Sequence, residues 1–238
     1  MGSARTRAWI AGRGMILDVP TVTFPGRGAI HPIQRGTIVD VPGTSRMLQR
    51  LLDHRLPRLA RPVIVLTAPV LDGLAFRTAA RTAVDILHPR AVVTVPGARA
   101  VALAAGADHT RPLVVVDIGA HLMEVVLLAD QQVVDARRTA LGTTDLGDDT
   151  PPRQLTDAVV AMVQAMVRDD HTPMTAGALQ RGILLSGGGA LRPDVTLSLP
   201  DVLGCPVRTA PSPHTAAVRG AAGLLGTAHA RALQNRGA

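Results

Sequence analysis

Val114-Val115-Val116-Asp117-Ile118-Gly119 ends an apolar run on a carboxylate and a glycine, the residue types in this chain best suited to chemistry. A strand that closes this way brings backbone N–H groups and a metal-directing charge up to a phosphate. Further along, Ile183-Leu184-Leu185-Ser186 runs into Gly187-Gly188-Gly189, a second place where a nucleotide can lie close to backbone. Each has a plain structural alternative, a tight turn for the first and a close helix–strand contact for the second. A dinucleotide fingerprint is excluded, because Gly187-Gly188-Gly189-Ala190-Leu191-Arg192 lacks the third glycine of the motif. Ser186 is not a nucleophile elbow, since Leu184 stands where that turn needs glycine. The chain has no lysine, which removes a P-loop lysine, a Schiff base and a Ser-Lys hydrolase. Its eight histidines show no metal spacing, and His121 alone draws interest, through its place just after Gly119. Asp145, Asp148 and Asp149 read as a solvated acidic loop.

At 238 residues and 47% hydrophobic content the chain folds around a substantial core. With two Phe, one Trp and no Tyr, that core is built from Ala, Val and Leu, and stacking on nucleic-acid bases is not expected. The net charge of +7 comes from arginines spread along the whole chain rather than gathered in a polyanion-binding patch. A lone cysteine, Cys205, forms neither an internal disulfide nor a metal cluster and fits a reducing cytoplasm. No apolar run reaches membrane-spanning length, so any membrane contact would be peripheral. Trp9, close after Arg5 and Arg7, is either such an anchor or strand packing.

The elements that must hold these residues follow from periodicity. Ala8 to Ile10, Met15 to Leu17 and Thr21 to Phe24, separated by Gly12-Arg13-Gly14 and Asp18-Val19-Pro20, predict an antiparallel meander. After a turn-rich stretch from Pro25 to Pro32 and a short apolar piece from Gly36 to Val41, Thr44 caps a helix with Met47, Leu48, Leu51 and Leu52 inward. Val63 to Thr67 reads as a strand covered on both faces, Asp72 as the cap of the next helix, and Ala91 to Val95 as a strand. Pro96 opens a helix to about Gly106. Leu113 to Leu128 is a hairpin, extended by a strand at Gln132 to Arg138, and a helix follows with Leu155, Val159, Met162, Val163 and Met166 on one face. After the glycine segment come a strand from Pro206 to Ala210 and a terminal helix opened by Ser212-Pro213. Each half thus carries a meander, a helix and an α/β segment, which predicts an α/β layered core.

Four collinear segments resemble the MreB-type bacterial actins, within the actin, hexokinase and chaperone ATPase superfamily. They are Arg7 to Phe24 (RAWIAGRGMILDVPTVTF), Arg35 to Leu52 (RGTIVDVPGTSRMLQRLL), VVVDIG and GILLSGGGAL. The resemblance runs nearly end to end and implies an actin-like (ribonuclease H-like) two-lobe fold, with lobes at residues 1–110 and 111–238. It implies two β-hairpin phosphate loops clamping ATP and Mg²⁺. Gly2-Ser3-Ala4 would stand in the first loop, Asp117 (also the metal-directing group) and Gly119 in the second, and Gly187, Gly188 and Gly189 beside the adenosine.

The departures from that family pattern bear on activity. The aspartate that opens the family's first loop would lie one residue before Met1 and is either absent or lost to a misplaced start, and Ala120-His121-Leu122-Met123 replaces the small residues of the second loop, crowding a phosphate with partly apolar bulk. Leu74 aligns with the water-activating glutamate and cannot orient water, while Val95 aligns with an acidic residue. Little chain separates the first hairpin from Arg35, or the second meander from its helix, so the family's outer subdomains are shortened or missing. The expectation is a cytoskeletal, cell-shape protein, weak or inactive as an ATPase, assembling with itself or with a full-length bacterial actin. The rival readings are a small ATP-dependent kinase using Asp72 or Asp40, and a nucleotide-free interaction module.

Overall fold

The computed structural model describes residues 1–11, 13–14, 16–24, 28–56, 61–71 and 73–234. Strands β1 (Arg5–Trp9) and β2 (Ile16–Pro20) pair antiparallel, with Arg5 opposite Pro20 and Trp9 opposite Ile16. A small hairpin follows, β3 (Ile33–Gln34) and β4 (Thr37–Ile38), whose turn puts Arg35 and Gly36 at φ 45° and 80°, as a two-residue loop matching strand twist requires. Helix α1 (Val41–Leu52) begins at Asp40, whose Oδ1 accepts the Gly43 N–H at 2.8 Å. Its buried face includes Met47, Leu48 and Leu51. Strands β5 (Val63–Ala68) and β6 (Ala91–Pro96) lie parallel, joined through α2 (Gly73–Val84), and α3 (Gly97–Ala104) follows directly.

The second half is organised around β7 (Leu113–Ile118) and β8 (Met123–Ala129), apolar runs buried over nearly their whole length. With β9 (Gln132–Thr139), and after α4 (Arg153–Asp169) and α5 (Met174–Arg181), β10 (Ile183–Ser186) completes the core of a larger sheet. Two short helices, α6 (Pro193–Thr196) and α7 (Ser198–Leu203), lead to β11 (Val207–Thr209) and the terminal helix α8 (Ala216–Gln234). The five strands run in the order β11-β10-β7-β8-β9. Strict alternation of side chains divides the sheet between two cores. Val114, Val116, Val125 and Leu127 meet Leu155, Val159 and Met166 of α4, whereas Val115, Val126 and Leu128 meet Val101 and Ala102 of α3 and Ala216 of α8. Helices therefore cover both faces, as a buried α/β sheet needs.

Helices α3 and α8 tie the two halves together. They cross so closely that a Cβ on Gly220 would collide with the Ala100 carbonyl, and α8 also touches β1 and β5. The two places where outer subdomains would be inserted hold only residues 21–40, with the β3–β4 hairpin, and residues 140–152.

Several expectations are corrected. The first meander is a two-stranded hairpin, and of Thr21 to Phe24 only Thr23 bridges, to Ile30. The cap of α1 is Asp40, not Thr44, because Pro42 fits the first turn and leaves Thr44 inside the helix, its hydroxyl donating to the Asp40 carbonyl. β5 is covered unevenly, with Val63 exposed at its outer end. Pro96 ends β6 and caps α3 instead of lying inside it. Helices α5, α6 and α7 carry no sequence expectation. Gly12, Met15, Pro25 to Arg27 and Asp72, assigned to turns, a strand and a helix cap, lie outside the described residues.

Candidate functional site

Pairing of β7 with β8 sets Asp117 directly opposite Glu124, both on the sheet face that looks toward the first half of the chain. The turn between them is tight, the Gly119 N–H donating to the Leu122 carbonyl at 2.9 Å. A Cβ on Gly119 would lie 2.8 Å from that same oxygen, so the turn requires glycine. Asp117 is half-buried, and loss of water around it raises its carboxyl to about 6, against the pull of Arg7 on β1. Glu124 is 8% exposed, and its Oε1 accepts the N–H groups of Val70 at 3.0 Å and Leu71 at 3.4 Å. Burial first and the neighbouring Asp117 second push it up to about 7, opposed by those two N–H groups and by Arg138. Arg138, the cross-strand partner of Glu124, donates to the Leu71 carbonyl at 3.0 Å. An acid and a base on the second-half sheet thus clasp the 70–71 segment of the first half.

Glu124 is a residue that the sequence reading misses. Its signal is there: one acid between Met123 and Val125, in a strand otherwise apolar throughout, must find hydrogen bonds when it is buried.

The segment before β1 meets the β7–β8 turn directly. Ser3, 9% exposed, forms a 2.8 Å hydrogen bond from its Oγ to His121 Nδ1. Gly2 is held by the Arg5 carbonyl, which accepts its N–H at 3.0 Å, and by Thr21 Oγ1, which donates to its carbonyl at 2.6 Å. On the other side of the turn, the Leu122 side chain lies where a Cβ on Gly36 would fall, 2.8 Å away. The Thr143 and Thr144 N–H groups cap the carbonyls of Gly119 and Ala120 at 3.0 and 2.9 Å. Asp145 anchors this loop, accepting from Arg35 at 2.6 Å and from the Gly142 N–H at 2.9 Å.

The three glycines after β10 have different surroundings. Gly187 has φ 87° and ψ 178°, and a Cβ there would collide with the Ile118 carbonyl and the Asp117 carboxylate. A Cβ on Gly189 would lie 2.6 Å from Ile118 Cβ. Gly188 is exposed, and a Cβ there would meet nothing within 4 Å. Packing against the end of β7 therefore accounts for Gly187 and Gly189, and not for Gly188. Ser3, His121, Asp117, Gly119 and Gly187 are joined through these contacts, and Gly2 adjoins them through Ser3.

Leu74 lies in the first turn of α2 with 71% of its surface exposed, and Val95 is buried at the end of β6. Asp40 is committed to capping α1, which removes one aspartate from the kinase reading; Asp72, the other, lies outside the described residues. Among the described residues no group of three or more His, Cys, Asp or Glu is arranged to hold a metal ion.

A two-lobed α/β architecture, with the β7–β8 turn of the second half met by the segment before β1 and a glycine loop closing on the end of β7, defines an actin-like protein. The MreB/Mbl protein family model matches residues 26–150, a little over half of the chain, and the chain belongs to that family. Among solved structures it is similar to MreB5 of Spiroplasma citri bound to ADP, with a TM-score of 0.83 at 14% identity over 98% of this chain and 96% of that one. It is also similar to the MamK double helical filament (TM-score 0.70, 14% identity, 94% of this chain and 96% of that one). A third likeness is the PilM–PilN type IV pilus biogenesis complex (0.66, 14%, 93% and 96%). At such identities these likenesses establish the fold. No curated protein sequence matches the chain.

Proposed function

We propose that this chain is a reduced MreB-type cytoskeletal and cell-shape protein that keeps the frame of the nucleotide site, is weak or inactive as an ATPase, and acts by assembling with itself or with a full-length bacterial actin. The observation that carries this reading is the Ser3–His121 hydrogen bond at 2.8 Å, which ties the segment before β1 to the β7–β8 turn across the space that a phosphate chain would have to enter. In that closed arrangement the residues present do not fit a triphosphate: the Gly119 amide is spent on Leu122, and His121 occupies the gap. Gly2, Ser3, Asp117 and Gly119 are the candidate phosphate-side residues, Asp117 the candidate Mg²⁺-directing group, and Gly187, Gly188 and Gly189 the candidate adenosine side. ADP and AMPPNP occupy the two MreB5 structures, which supports nucleotide as the ligand class for this frame.

Leu74 supports loss of hydrolysis, because an alkyl side chain neither accepts a proton nor orients water. The lobes are taken as residues 1–110 and 111–238, hinged on α3 and α8. Filament formation by MamK supports assembly as the mode of action. Among the described residues no helix is long and apolar enough to cross a membrane, and contact with the inner membrane is proposed as peripheral. The test is co-sedimentation of the purified protein alone and with a full-length MreB. Pelleting in either mixture without added nucleotide is expected; a protein that stays in the supernatant in both would refute assembly.

A further inference from the structure

A cavity of about 280 Å³ opens at the C-terminal ends of β5 and β6, between Val70, Thr94, the start of α3 and the β8–β9 turn at Gln131 and Gln132. It shares no lining residue with the Ser3, His121, Asp117 and Gly187 cluster. Two arginines line it, Arg77 from α2 and Arg99 from the first turn of α3, and among the described residues no acidic one does. The Arg99 Nε is buried without a hydrogen-bond partner among the described residues, and neither guanidinium forms a salt bridge there. A buried guanidinium N–H with no acceptor is costly, and its geometry is that of a fork matched to paired oxygens. Helix α3 starts at the cavity wall on Pro96, which supplies no side-chain acceptor to its first N–H groups. Thr94, Gln131 and Gln132 add uncharged donors.

We propose that this cavity is a binding site for a small oxyanion, a phosphate or a compact dicarboxylate, held between the forks of Arg99 and Arg77. Both ligands offer the paired, charged oxygens that a guanidinium fork recognises. The volume is below the range of about 300–1,000 Å³ usual for drug-sized ligands, which favours a few-atom anion over a nucleotide. Val70 borders this cavity and gives its N–H to Glu124, so an occupant would brace the segment that the second-half sheet clasps.

Calorimetric titration of the purified wild-type chain with inorganic phosphate, and separately with succinate, at constant ionic strength tests the proposal. Saturable binding of at least one anion is expected, the tighter of the two naming the ligand type. Arg99→Gln and Arg77→Gln should each weaken it roughly tenfold, the loss of one charge-assisted hydrogen bond. Arg99→Lys, which keeps the charge and loses the fork, should weaken it too, and an unchanged circular dichroism spectrum in each variant separates lost binding from lost folding. No binding of either anion to the wild type, or affinity unchanged in the folded Arg99→Gln and Arg77→Gln variants, would overturn the proposal.

Discussion

Alanine at each of the three glycines after β10 separates what the fold needs from what a ligand would need. Gly187→Ala forces a φ of 87° with ψ 178° on a residue with a Cβ, in a region nearly reserved for glycine, at about 1–3 kcal/mol. The new methyl also collides with the Ile118 carbonyl and the Asp117 carboxylate, adding about 1–3 kcal/mol of overpacking. A domain of this length loses roughly 2–4 °C of Tm per kcal/mol, so a fall of roughly 10 °C is expected. Gly189→Ala meets only the overlap with Ile118, about 1–3 kcal/mol, and should fall by roughly half as much. Gly188→Ala enters open space without a positive φ, and should change Tm by no more than about 2 °C, upward if at all, because alanine narrows the unfolded ensemble. Differential scanning calorimetry of the four proteins reads this order directly. A Gly188→Ala variant destabilised as much as Gly187→Ala would refute the contact geometry from which the order is derived.

Glu124 and Asp117 both titrate above their ordinary range in the folded chain, so the stability they confer is full below about 4 and is lost as pH rises through their folded values of about 7 and about 6. For Glu124 the interval from 4.5 to about 7 corresponds to about 3 kcal/mol; Glu124→Gln keeps an acceptor for the Val70 N–H but cannot ionise. Urea unfolding between pH 5 and pH 8 should therefore show a shallower decline in the variant, and an identical slope would contradict the burial argument. His121→Gly removes the bridge to Ser3, so ATP with Mg²⁺ should raise Tm more in this variant than in the wild type; no difference would mean that the bridge does not guard the site. Gly220→Ala, forced against the Ala100 carbonyl, should cost about 1–3 kcal/mol or more and lower Tm by several degrees, a near-neutral result arguing against the close crossing of α3 and α8.

Elements that declare one period over their whole length are legible in the sequence. The β7–β8 hairpin follows from two apolar runs around Asp117 and Gly119, and α4 from Leu155, Val159, Met162, Val163 and Met166, every one of which is buried. What is not legible is short or local. Helices α5 to α7 span eight, four and six residues, too few turns for a hydrophobic face to stand out. The choice of Asp40 over Thr44 as cap turns on where proline fits a first turn. The candidate site is legible as a set of loops, but not in how its residues meet. Ser3 and His121 are 118 positions apart, and neither signals the other. The glycine triplet looks uniform in sequence, yet only Gly188 is left free of packing by the end of β7. Glu124 needs only the rule that a lone buried acid must be paired.

Phosphate release from ATP and Mg²⁺ by the purified wild-type protein, measured in the same tubes as its pelleting, tests the central claim most directly. Assembly with phosphate release no faster than the protein-free control is the expected result. Sustained turnover at the level of a full-length MreB run beside it would contradict the account, because it would mean that Leu74 and the closed Ser3–His121 bridge do not disable the site.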